Sequence, residues 1–146
     1  MPIYMKYQGV KGPVTGQYKE WIELESCQFG THRNIRSPTG GGVNREASAQ
    51  SLSEIVVTKE QDSSSSDLFR ESLVGAAKKV AIDFLKTDEK GGQTSFLRVE
   101  LENAMISSYN LSGHGGGSSD RPMESLSLNF TKSTFKQTVH FEPLAW

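Results

Sequence analysis

The chain predicts a mainly β fold, an antiparallel barrel or sandwich with one short α-helix, on three observations. Apolar and polar residues alternate with period two in several segments. Glycine- and serine-rich stretches separate those segments. One stretch, 65–75, departs from that pattern and shows helical spacing.

Three segments carry the clearest strand signal. In Ile3-Tyr4-Met5-Lys6-Tyr7-Gln8 the odd positions are the more apolar. In 95–102, Leu97, Val99 and Leu101 face one way and Arg98, Glu100 and Glu102 the other. In 126–131, Leu126, Leu128 and Phe130 alternate with small polar residues. Each pattern is that of a half-buried strand. Weaker strand segments are 18–29, 52–59, 79–86, 105–111 and 135–141. The predicted helix places Leu68, Phe69, small Ser72 and Leu73 on one stripe. Ser65 or Ser66 is the expected N-cap, Asp67 complements the helix dipole, and Gly75 is the expected C′ residue. A helix of two to three turns is unstable alone, so its stripe is expected to pack on the sheet.

Two stretches, Asn34–Gln50 and Ser112–Pro122, have almost no large apolar residue and read as loops. No repeat and no linker divides the chain, so 146 residues are expected to form one domain, 1–146. Hydrophobic residues make up 35% of the chain and glycine contributes 14 residues, which points to a modest core and many turns. Sixteen basic and 17 acidic residues nearly cancel, so no charge excess steers the chain to nucleic acid or into a membrane. Cys27 has no second cysteine to pair with. The N-terminus MPIYMKYQGVKG lacks the pattern of a secretion signal, and the cytoplasm is the expected compartment before any signal-independent export.

Candidate chemistry lacks the partners it would need. Gly40-Gly41-Gly42 is not followed by the Lys-Ser/Thr and helix of a phosphate cradle. His114-Gly115-Gly116-Gly117 resembles an esterase oxyanion loop, but no G-x-S-x-G elbow accompanies it. His32, His114 and His140 lack metal-site spacing. Glu23/Glu25 and Glu100/Glu102 share strand faces that read better as solvated or subunit-facing surface than as acid–base pairs. Cys27 has no neighbouring base and reads as an unreactive thiol. The expectation is therefore a binding or assembly module: no enzyme, no cofactor, no metal.

The order of motifs then resembles a known family. NAMISSYNLSGHGGGSSDRPMESLSLNFTKSTF, from Asn103 to Phe135, is similar to the hallmark of the Hcp family of type VI secretion. Val57-Thr58-Lys59 with the acidic-serine helix entry, Val10-Lys11-Gly12 and Trp21-Ile22-Glu23 resemble its upstream elements, so the likeness spans nearly the whole chain; the EPLAW tail lies outside it. The resemblance implies a tail-tube-like, closed or nearly closed antiparallel β-barrel with one helix. It implies hexameric rings that stack into a tube inside a contractile sheath, with a VgrG spike at the tip. It implies ejection from the cytoplasm to the outside without a signal peptide, and small effector proteins held in some lumens. On the same likeness, the 34–50 loop would stack rings through Arg36, Gly40, Gly41, Gly42 and Arg45, and Ser26 and Gln28 would line the lumen and touch effectors. With no toxin domain after the barrel, a fused effector is not expected. A free-ring effector carrier is the alternative role.

Overall fold

The computed structural model describes residues 1–32, 35–36, 46–47, 51–52, 54–117, 120–137, 144 and 146. Its strands, in order, are β1 (Ile3–Tyr7), β2 (Ile22–Leu24), β3 (Ser26–Gln28), β4 (Thr31–His32), β5 (Ile35–Arg36), β6 (Glu46–Ala47), β7 (Ser51–Leu52), β8 (Ile55–Glu60), β9 (Lys78–Thr87), β10 (Gln93–Ser112), β11 (Met123–Asn129) and β12 (Lys132–Gln137). The helix α1 (Ser65–Val74) lies between β8 and β9. The main sheet runs β2-β1-β9-β10-β11-β8-β3, with β12 also on β10, and all its pairings are antiparallel.

The mainly β architecture with one helix follows the expectation, but the sheet does not close into a full barrel. Its two end strands, β2 and β3, are successive pieces of one segment, 22–28, with Glu25 between them. The Glu25 amide donates to the Thr58 carbonyl at 2.7 Å. Side chains from β1, β2, β8, β9, β10 and β11 still meet in one core, centred on Met5, Ile22, Val57, Ile82, Leu101 and Leu126. A sheet curled about one core explains this. Each fully buried aliphatic residue there contributes about 1.5–3 kcal/mol relative to exposure.

β9 is covered on both faces. Val80, Ile82 and Phe84 enter the main core, while Ala81 and Leu85 join Tyr18 and Trp21 in a second cluster outside the sheet. Leu144 and Trp146 pack on that cluster, and Lys6 Nζ sits 5.7 Å from the Trp146 ring centre. Double burial removes the need for alternation, which is why Val80–Leu85 reads as a nearly continuous apolar run broken by Asp83.

β10 joins two segments that the alternation separates. Breaks in register between Ser95 and Leu97, Leu101 and Ala104, and Ile106 and Ser108 keep it one strand while shifting which face each residue takes. Asn103, with φ +54°, lies in the second break and donates through Nδ2 to Thr131 Oγ1 at 2.9 Å.

The helix differs from expectation at two points. Ser64, not Ser65 or Ser66, holds the N-cap position, and the Asp62 carboxylate accepts its amide at 2.8 Å. The Ser65 hydroxyl is turned inward to the Glu124 carboxylate, so it is not available as a cap. Leu68 is fully buried and half-exposed Phe69 sets its ring edge-on to Tyr109 with centres 5.5 Å apart, but Leu73 and Val74 are 68% and 79% exposed, so the predicted stripe packs through Leu68 and Phe69 and not through Leu73. Gly75 closes the helix with its amide on the Glu71 carbonyl at 3.1 Å. Its φ of −69° is ordinary, so the glycine serves space rather than a left-handed turn: a Cβ would collide with the Glu71 backbone.

Candidate functional site

Across the face of β3, β8, β11 and β10 turned away from the core run two rows of small, uncharged residues, a grid bordered by Glu60 and Met123 in the next register row. Strand register builds both rows. One row is Ser26, Thr58, Ser125 and Asn110; the other is Gln28, Val56, Ser127 and Ser108. Directly paired residues project from the same side of a sheet, so each row is continuous across four strands. All eight are exposed or half-exposed. The Ser26 and Thr58 hydroxyls meet at 2.5 Å. The break in register at Ser107 puts Ser108 on this face while Ile106 stays in the core. Ser107 itself donates to Glu54 Oε2 at 2.9 Å, at the edge of the grid.

Between the two rows, on the other side of the sheet, lie Cys27, Val57, Leu126 and Tyr109. They seat the grid on the core. Burial pushes the Cys27 thiol from 9.0 up to about 11, which keeps it protonated and unreactive near neutral pH.

The next inward rung is charged. Lys59 and Glu124 are both fully buried and paired in register, with Nζ 3.0 Å from Oε1. Lys59 also donates to the Glu60 carbonyl at 2.9 Å and lies 3.2 Å from Asp62 Oδ1. Tyr109 donates to Glu124 Oε2 at 2.5 Å, and the Ser65 hydroxyl donates to Oε1. Both carboxylate oxygens are therefore satisfied, which buried charge requires. Burial and then Glu124 raise the Tyr109 hydroxyl well above its usual range. This network ties the helix entry to β8 and β11 and fixes one end of the grid.

A second buried pair joins β9 to β10. Arg98 donates through Nε and Nη2 to the two oxygens of Asp83, at 2.6 and 2.7 Å, and Tyr18 donates to the same carboxylate at 3.1 Å. Arg98 therefore departs from the solvated side expected of the 95–102 alternation. Glu100, on the same side, bridges to Lys136 at 3.3 Å.

The sequence-derived residues fall in different places. Ser26 and Gln28 stand on one exposed face, as their spacing in β3 requires. Arg36 lies in β5, whose backbone pairs it with Glu46. The stretch 34–50 is thus not wholly a loop: Ile35–Arg36 pairs with Glu46–Ala47, and Thr31–His32 pairs with Ser51–Leu52 just outside it. Gly40, Gly41, Gly42 and Arg45 lie outside the described residues, as does His140. His114 and Gly115–Gly117 are exposed. Among the described residues, no three His, Cys, Asp or Glu side chains come together in a metal-binding arrangement. Thr58, Ser108, Asn110, Ser125 and Ser127 are grid members that sequence reasoning did not single out; the small polar residues alternating with Leu126 and Leu128 are the signal that could have found them.

Comparison with known proteins places this fold. The family model described as "Type VI secretion system effector, Hcp" matches residues 4–137. A solved type six secretion system protein superposes with a TM-score of 0.80 at 23% identity, covering 92% of this chain and 82% of its own. A mutant Hcp1 from E. coli (EAEC 042 pathovar) gives 0.75 at 22% identity, covering 94% and 91%. Hcp1 from Salmonella typhimurium gives 0.74 at 18% identity, covering 94% and 87%. No curated protein sequence matches significantly. Its fold is thus similar to that of solved type VI secretion proteins, and the family model spans most of the chain. The chain belongs to the Hcp family.

Proposed function

We propose that this chain is the structural subunit of a type VI secretion inner tube. One domain spanning 1–146 would form homohexameric rings, and the rings would stack into a hollow tube within a contractile sheath, with a VgrG spike at its tip. The observation that carries this reading is the uncharged grid of β3, β8, β11 and β10, a surface suited to line a passage. It offers hydroxyl and amide groups without a charge that would trap a passing protein.

Ser26 and Gln28, at the grid's edge strand, are assigned to effector contact in the lumen. Arg36, Gly40, Gly41, Gly42 and Arg45 are assigned to contacts between stacked rings. The chain would wait in the cytoplasm and reach the medium when the tube fires, without a cleaved signal. No catalytic role is assigned.

Light scattering on the eluting protein, with electron microscopy of the peak, tests the ring. A hexamer with a central hole supports it, and a strict monomer at high concentration defeats it. The other reading, a free-ring effector carrier, rests on the same grid. Gln28→Arg separates the two: loss of effector protection with secretion intact favours the carrier, and loss of both favours the tube.

A further inference from the structure

The apolar cluster on the outer face of β9 takes part of its cover from far along the chain. Tyr18 and Trp21 are 8% and 6% exposed, and Ala81 and Leu85 are fully buried. Four half-buried side chains pack against them: Tyr4, Val14, Leu144 and Trp146. Tyr4 belongs to β1, and Val14 is held by its backbone, whose amide donates to the Trp21 carbonyl at 3.2 Å and whose carbonyl accepts the Glu20 amide at 2.8 Å. Leu144 and Trp146 follow the last strand and lie beyond 4–137, the residues that the family model matches. The family likeness therefore does not account for their contact.

The hold on these two residues is light. Lys6 Nζ donates to the Leu144 carbonyl at 3.5 Å, the outer limit of a hydrogen bond. The Lys6 and Lys79 ammonium groups stand 5.7 and 6.0 Å from the Trp146 ring centre, at the far end of cation–π reach. β9, by contrast, is laddered to β1 on one side and to β10 on the other. Parts of a fold held by few buried contacts open locally at less cost than the whole unfolds.

What lies beneath matters to the fold. Leu144 is one wall of a cavity of about 150 Å³ whose other walls include Lys6, Tyr18, Lys19, Trp21 and Arg98. Arg98 is the buried cation held by Asp83. Departure of Leu144 and Trp146 would bare the Tyr18 and Trp21 rings and admit water to one side of that ion pair.

We propose that Leu144 and Trp146 form a releasable latch, held by Lys6 and Lys79, that opens while the sheet stays folded and so switches the Tyr18–Trp21 face between covered and exposed. The latch stands on contacts within one chain and is independent of the ring reading.

Trp21 and Trp146 are the two tryptophans of the chain, which makes the test direct. Trp146→Phe and Trp146→Ser each leave Trp21 as the reporter and differ in whether a ring remains for the two lysines. On fractions of equal elution size and matching circular dichroism, acrylamide should quench Trp21 about twofold or more better in the serine variant. Equal quenching means that the latch covers nothing, and overturns the proposal. Adding Lys6→Gln and Lys79→Gln to Trp146→Phe should move its quenching towards the serine value; no movement refutes the lysine hold and the proposal with it. Opening itself is read in the parent chain labelled with fluorotryptophan, by fluorine NMR, with the two resonances assigned through Trp146→Phe. In rising urea the Trp146 resonance should reach its solvent-exposed position about 1 M or more before that of Trp21. One shared midpoint would make Leu144 and Trp146 part of the cooperative fold and overturn the latch. A Trp146 resonance already at the exposed position without urea overturns it too. This measurement needs no variant beyond the assignment, so it decides the proposal even where a substituted chain fails to fold.

Discussion

Replacing Asp83 with Ala should destabilise the chain by about 3–5 kcal/mol, because Arg98 would be left as a buried cation without its partner. Asp83 is fully buried and Arg98 is 4% exposed, so water cannot replace the carboxylate. Two charge-assisted hydrogen bonds and the Tyr18 hydroxyl lose their acceptor together. The loss is a large share of the roughly 5–15 kcal/mol that holds a typical domain folded. With a urea slope near 1.5 kcal/mol per molar, the midpoint should fall by about 2–3 M. Trp21 fluorescence suits the assay, since Trp21 packs edge-on against Tyr18 with ring centres 4.9 Å apart. Protein concentration must be held fixed, because assembly would add its own stability. The paired replacement Asp83→Leu with Arg98→Met removes both charges and should recover most of the loss. A single variant that loses less than 1 kcal/mol, or a double variant as unstable as the sum of the singles, would refute the assignment of this pair as a closed buried unit.

Alkaline pH should destabilise the fold. Burial raises the Tyr7 and Tyr18 hydroxyls from 10.0 to about 12, with Glu71 adding to the first and Asp83 to the second. A raised folded value keeps each group's stabilisation whole below its unfolded value and loses it as pH climbs towards the folded one, so the urea midpoint should begin to fall near pH 9, where Cys27 starts to contribute, and fall further from 10 towards 12. The Cys27 thiol, raised by burial from 9.0 to about 11, should react with a disulfide reagent at pH 8 about 100-fold more slowly in the folded than in the unfolded chain; equal rates would mean the thiol is exposed. Gly12→Ala should cost about 1–3 kcal/mol, since a Cβ there would overlap the Trp21 carbonyl, and the thermal midpoint should drop by several degrees.

Alternation made three regions legible before any coordinates. Ile3–Tyr7, the Val99–Leu101 part of β10 and Leu126–Leu128 have one face in the core and one face out, so the pattern and the burial coincide. It failed where a physical rule other than one-sided burial operates. β9 is buried on both faces, and β10 changes phase at its bulges, so the segments 95–102 and 105–111 read as separate strands. Lys59, Asp83, Arg98 and Glu124 are buried only because each has a partner 15 or 65 residues away, and composition carries no trace of such pairings. The helix was legible as a helix, but what its apolar stripe touches is a tertiary fact. Of the grid, Ser26 and Gln28 were found through one strand; the other members required the register of its neighbours.

On the proposed tube reading, the grid would meet two solutions of different composition. Its seven polar members carry hydroxyls or amides, and none gains or loses a proton between acidic and alkaline extremes. The rows themselves gather no counterion layer, and ionic strength acts only on the carboxylates that border them, Glu54 and Glu60. Rows built this way would behave alike on either side of the passage that the tube reading assigns to them.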